Sequence, residues 1–221
     1  MTDAPENSIA AFKKALAQNI PIELDVHLMA DNEIAVIHDS DLYRLTGQKL
    51  KISDLGKKDL KDLTLHQSKE NIPLLKDVIE LVNGTVPILI DIKNEGFSFE
   101  LEKKLADLLN SYHGLYAIQG ANTLSLFITR SQLTKQVPVG LITTELQDRP
   151  DIKGLKKALV RDMWAAPFLR PDFISQDIKS LNDKRLKRLK HMNVPTFLWV
   201  IKTPEDWKLC KENRFIPIFE R

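Results

Sequence analysis

From Ile22 to the end of the chain, short β-branched runs alternate with longer runs whose apolar residues recur at helical spacing. Repetition of strand then helix packs as a parallel sheet with crossover helices, which confines the chain to the α/β class. The strand runs are Ile22–Val26, Val86–Lys93, Leu115–Gln119, Val137–Thr143, Asp172–Gln176, Pro195–Val200 and Phe215–Phe219. A further extended run, Ile34–Ile37, ends at His38-Asp39 and reads as a side hairpin. An opening helix, capped by Asn7 or Ser8, carries Ile9, Phe12 and Leu16 and ends near Asn19. Others are predicted from Pro73 to Asn83-Gly84, and over 99–109, 122–133, 154–163 and 182–192. Thr203 caps the last one, with Pro204 in its first turn and Asp206 three residues on. Asp41–Leu50 reads as loop, and Ser53 caps a short helix through Leu60. This gives seven core strands behind an initial helix. A closed β/α barrel has eight strands and begins with one. The pattern therefore predicts a TIM (β/α)8-type barrel whose first strand is missing from the chain, built as one domain over residues 1–221.

Two of the strands end in charge. Side chains alternate across a strand, so Ile22, Leu24 and Val26 share one face and Glu23 and Asp25 the other. In Val86–Lys93, Ile88, Ile90 and Ile92 share one face, with Leu89, Asp91 and Lys93 opposite. An edge strand with a solvated acidic face would also produce the first pattern. Two carboxylates on a core strand are costly to desolvate and repel each other, and a divalent cation between them removes both penalties. Charges at the carboxyl ends of parallel strands are where a β/α barrel keeps its chemistry. His38 follows the hairpin run a short distance along from the acidic pair, and imidazole titrates in the range useful for acid–base work.

Charge and cysteine usage narrow the classes further. Over 221 residues the net charge is only +2, so no strong polyanion preference follows. The basic run Lys184–Lys190 reads as a solvated helix face rather than a nucleic-acid contact. Cys210 is the one cysteine and permits no internal disulfide. No stretch approaches a membrane span and no signal peptide opens the chain, which gives a cytoplasmic expectation. The oligomeric state is not legible.

Taken in order, several segments resemble the glycerophosphodiester phosphodiesterase family of barrels. Ala4-Pro5-Glu6-Asn7-Ser8-Ile9-Ala10-Ala11-Phe12 looks like the family's APENT-x-x-AF segment, and Ile22-Glu23-Leu24-Asp25-Val26 like its IELDV strand. Val36-Ile37-His38-Asp39, with Leu42 and Arg44, is similar to its V-x-HD-x-x-L-x-R segment. Ile72-Pro73-Leu74-Leu75 resembles its IPTL, Ile90-Asp91-Ile92-Lys93 its IEIK, and Phe197-Leu198-Trp199-Val200 its WTVN strand.

The resemblance implies metal-dependent hydrolysis of a small-molecule glycerophosphodiester to glycerol 3-phosphate and an alcohol. By position, Glu23, Asp25 and Asp91 would hold one divalent cation, Ca2+ or Mg2+. His38 would be one of two acid–base histidines, Lys93 would contact the phosphate, and Trp199 would line the substrate pocket. Two departures stand out. The family's His-Arg-Gly strand ahead of the APENT segment has no counterpart here, and neither His27 nor His66 stands at a matching position. Asp91 replaces the family's usual glutamate, with about 1.5 Å less reach. The first departure keeps a non-catalytic phosphoester-binding protein on the same barrel as the alternative. A phosphodiesterase acting on lysophospholipids is a further one.

Overall fold

The computed structural model describes residues 4–66, 68–94, 98–143 and 170–219, so the helix predicted over 154–163 lies outside the described residues. The chain divides into two compact units, Met1–Ile118 with Ser125–Val137, and Gln119–Leu124 with Pro138–Arg221.

In the first unit, α1 (Ile9–Ala17) is capped by the Ser8 hydroxyl, which accepts the Ala11 N–H. β1 (Ile22–Leu28) outruns its predicted end by two residues. Val26, His27 and Leu28 pair antiparallel with Val36, Ala35 and Ile34 of β2 (Ile34–Val36), which forms the expected hairpin. A helical turn, α2 (Tyr43–Thr46), interrupts the predicted loop. The helix expected from Pro73 starts later, as α3 (Leu75–Val82). The reason is local: the Pro73 carbonyl accepts the Val36 N–H and Leu74 bridges Ala35, which holds both residues extended. The helix expected from Ser53 to Leu60 is instead two short 3-10 turns, Ile52–Asp54 and Asp59–Asp62. Ser53 donates to its neighbour Asp54 rather than capping a backbone N–H.

β3 (Ile88–Ile92) runs parallel to β1. It is followed by α4 (Glu100–Asn110), β4 (Tyr116–Gly120) and α5 (Thr123–Gln132). The strand order is β2-β1-β3-β4. Leu24, Val26, Ile88 and Ile90 are buried, as are Leu75, Val78 and Val82 of α3 and Leu101, Leu105 and Leu109 of α4. Each such side chain contributes roughly 1.5–3 kcal/mol on burial. A separate apolar cluster, including Ile37, Leu42, Leu45, Ile52, Leu60, Leu65 and Leu74, underlies the connection between β2 and α3. That connection is therefore anchored despite having little regular structure.

The second unit holds β5 (Val139–Thr143), β6 (Phe173–Asp177), α6 (Asp183–Met192), β7 (Thr196–Ile201), α7 (Pro204–Asn213) and β8 (Ile216–Phe219). Its strands lie in sequence order, each parallel to the next. Thr203 and Asp206 form the predicted capping box at α7. On α6, Leu189 is buried and Lys184, Lys187, Arg188 and Lys190 are exposed, a solvated basic face as expected. Gly140 pairs with Phe173, and a Cβ at 140 would lie 2.0 Å from the Phe173 ring. That ring packs against Phe197 in a tilted pair, centroids 4.9 Å apart. The described strands thus comprise the seven predicted core strands and the β2 hairpin strand.

Candidate active site

Strand register brings the acidic residues together. Asp25 of β1 pairs with Asp91 of β3, and Glu23 pairs with Leu89. Alternation sends Glu23, Asp25 and Asp91 to one side of the sheet. One carboxylate oxygen from each of the three lies within 4.8 Å of the others. The edge-strand alternative does not hold, because β1 is flanked by β2 and β3 and Asp25 and Asp91 are both only 4% exposed.

The Lys93 ammonium sits between the two aspartates, 2.9 Å from Asp25 Oδ1 and 2.5 Å from Asp91 Oδ2. The Asn7 amide donates to Asp25 Oδ2 at 2.8 Å, and its own oxygen accepts the Asp25 N–H. Asn7 is therefore a site residue, not the helix cap, and nothing in the helical spacing distinguished it from Ser8.

The two aspartates are pushed in opposite directions. Burial drives the Asp91 carboxyl up to about 6, against the pull of Lys93 and with a further push from the Asp25 charge. Burial also acts to raise Asp25, but Lys93, His38 and the Asn7 amide outweigh it and hold that carboxyl below its ordinary value. Burial disfavours the Lys93 charge, yet the two aspartates keep it more firmly protonated than a free lysine.

A divalent cation fits this set. Oxygens on opposite sides of a calcium ion stand about 5 Å apart, in line with the cluster's spacing. Lys93 contacts Asp25 and Asp91, and an ion among the three carboxylates would offset their mutual repulsion. Asp91 Oδ1 is buried with no hydrogen-bond partner among the described residues. A buried carboxylate oxygen without a donor is costly, and a metal bond removes that cost.

His38 stands at the end of the hairpin, its ring exposed. The Ile37 N–H donates to the Asp25 carbonyl, which fixes the hairpin end beside the acidic cluster. His38 Nδ1 lies 2.6 Å from Asp39 Oδ1, and Arg44 grips both oxygens of Asp39. His27 shares the Glu23–Asp25 side of β1, and its Nε2 lies 3.1 Å from the His38 carbonyl. Sequence spacing placed His27 on that side without supplying its partner, because the partner lies across the hairpin.

Trp199 is half-buried on β7 in the second unit, paired with Asp177 of β6. Its indole N–H and the Ser175 hydroxyl are buried without hydrogen-bond partners among the described residues.

The model of the glycerophosphoryl diester phosphodiesterase family matches residues 1–219. The chain belongs to this family. It is 31% identical to a glycerophosphodiester phosphodiesterase of Bacillus altitudinis over 67% of its own length and 65% of the relative's. It is 39% identical to human lysophospholipase D GDPD1 over 49% of its length and 38% of the relative's. The chain thus spans 38% to 65% of these curated relatives. Among solved structures, it is similar to an Oleispira antarctica phosphodiesterase in complex with the product sn-glycerol-3-phosphate. The TM-score is 0.79 at 19% identity, covering 98% of this chain and 87% of the other. A Thermotoga maritima glycerophosphodiester phosphodiesterase gives a TM-score of 0.72 at 21% identity, covering 98% of this chain and 89% of the other. These likenesses show that the chain has the α/β fold of the family's barrels. No helix among the described residues is long and apolar enough to cross a membrane.

Proposed function

We propose that this chain hydrolyses glycerophosphodiesters with the help of one divalent cation, releasing glycerol 3-phosphate and an alcohol. The convergence of Glu23, Asp25 and Asp91 within 4.8 Å carries this reading. The family match over residues 1–219 supports it, and supports treating the chain as one functional domain.

These three carboxylates would hold the ion, calcium or magnesium. When bound, the ion would polarise the phosphoryl oxygens and steady the attacking oxygen. The protein's own groups do the rest. Lys93, already beside the aspartates, lends positive charge to the phosphate. His38 Nε2 holds or moves the proton at the reacting oxygen, with Nδ1 engaged by Asp39. A small-molecule diester is the partner, rather than a nucleic acid. The buried free Cys210 favours a cytoplasmic setting.

The similarity to a human protein named lysophospholipase D supports a second reading, in which the alcohol side of the diester carries an acyl chain. Incubating the chain with glycerophosphocholine and with lysophosphatidylcholine, under calcium, magnesium or chelator, separates the two. The expected result is metal-dependent glycerol 3-phosphate from the first substrate, lost with chelator. Lysophosphatidic acid from the second substrate alone moves the reading to lysophospholipids. Saturable binding of both with no product leaves a phosphoester-binding protein.

A further inference from the structure

The Asp39–Arg44–Glu6 network is largely solvent-exposed and adds little to stability. Arg44 Nε donates to Asp39 Oδ2 at 2.5 Å, and its NH2 nitrogen donates to Asp39 Oδ1 at 3.0 Å. The same guanidinium donates to both oxygens of Glu6, at 2.6 and 3.2 Å. The Arg44 side chain is 52% exposed and that of Glu6 29%. Ion pairs this wet contribute little, on the order of 0–1 kcal/mol each. Yet the geometry is a fork gripped at both ends, and the backbone that carries it is fixed. Leu42 and Leu45, on either side of Arg44's turn, belong to the buried cluster under this connection. The Leu42 N–H bonds the Leu50 carbonyl, and the Ile52 N–H bonds the Ser40 carbonyl.

What the network can fix is the imidazole. Asp39 takes two hydrogen bonds from a permanently charged guanidinium, so it is an acceptor and the 2.6 Å contact must be donated by His38 Nδ1–H. The other end of the residue is held as well. The His38 carbonyl accepts only, so His27 Nε2 is the donor in that contact. Ring and backbone of His38 are thereby tied by two separate neighbours.

We infer that Asp39, steadied by Arg44 and Glu6, is a positioning residue that holds neutral His38 in its Nδ1–H tautomer and leaves Nε2 for the reacting oxygen. This rests on the reading of His38 as the acid–base group. A carboxylate that sets a histidine's tautomer and orientation sustains a large part of its catalytic effect.

The test reads the tautomer directly. Nitrogen-15 NMR of the His38 ring in alkaline solution, where imidazole is neutral, is recorded for the wild-type chain, Asp39→Ala and Arg44→Gln. The wild type shows Nδ1–H. Asp39→Ala relaxes to the mixture seen for free histidine, and Arg44→Gln falls between. On glycerophosphocholine, kcat falls about 100-fold in Asp39→Ala and about 10-fold in Arg44→Gln, with KM within about twofold. Asp39→Glu restores part of the loss. A His38 tautomer unchanged in Asp39→Ala overturns the inference, as does a loss seen in KM alone. Arg44→Gln keeps Asp39 in place and serves where Asp39→Ala fails to fold. The NMR arm needs no turnover, so an inactive wild type counts against the hydrolase reading while the tautomer still decides this one.

Discussion

The ends of β1 and β3 and the ends of β5 and β6 both bury polar side chains, and they treat them oppositely. At β5 and β6 one neutral amide and the hydroxyls around it are satisfied within the protein. Gln176 accepts from the Thr143 hydroxyl at 2.8 Å and donates to the Asp177 carbonyl and the Ser180 hydroxyl. Arg185 in turn donates to Ser180. These hydrogen bonds end on other parts of the same unit, which is how a protein makes polar burial inexpensive. At β1 and β3 the groups are ionised, like charges stand side by side, and Asp91 Oδ1 has no donor among the described residues. The contrast teaches where to look for a ligand. A closed polar network stabilises itself, whereas a buried carboxylate oxygen without a donor is completed from outside.

The strongest way to break that contrast is to remove an acidic ligand. Asp25→Ala is expected to lower kcat/KM for glycerophosphocholine by about 10³-fold or more, roughly 4 kcal/mol of transition-state stabilisation. Calorimetric titration with calcium should show the affinity lost in parallel, while full activity in this variant would remove Asp25 from the site.

A second test uses the raised carboxyl of Asp91. Its value rises from an ordinary 3.8 to about 6 on folding, so the folded state holds this proton more tightly than the unfolded chain. Its contribution to stability is therefore present below about 4 and is lost as pH rises through 6, roughly 3 kcal/mol in all. Urea unfolding in chelator should show this fall across that window. Calcium binds the ionised form, so its stabilising effect should grow with pH over the same range.

The smallest effect on function comes from the other side of the comparison. Gln176→Leu leaves the Thr143 hydroxyl buried without its partner and should cost about 1–3 kcal/mol of stability. Calcium affinity should stay unchanged. A loss of calcium affinity in this variant would mean that the two polar regions are coupled.

The sequence alone disclosed this contrast unevenly. Glu23, Asp25, Asp91 and Lys93 were legible because a strand's side-chain period of two sorts charge from apolar residues without any knowledge of neighbours. The register that sets Asp25 against Asp91 was not legible, since it depends on pairing across more than sixty residues of chain. Asp39 and Arg44 stood out within a motif, but their link to Glu6 closes only when the β2–α3 connection folds. His27 was placed on the correct side, and its role followed from the hairpin rather than from spacing. The helix expected from Ser53 failed because a serine beside an aspartate has a nearer partner than the backbone.

The tight approach of Gly140 to the Phe173 ring carries over into how this sequence can vary. No side chain fits at 140 while an aromatic ring occupies its present place at 173. A larger residue at 140 therefore requires the ring at 173 to move aside or to be replaced by a smaller side chain. A single substitution at 140 would meet a barrier that the paired exchange avoids, so the route to diversity at this point runs through residue 173 first.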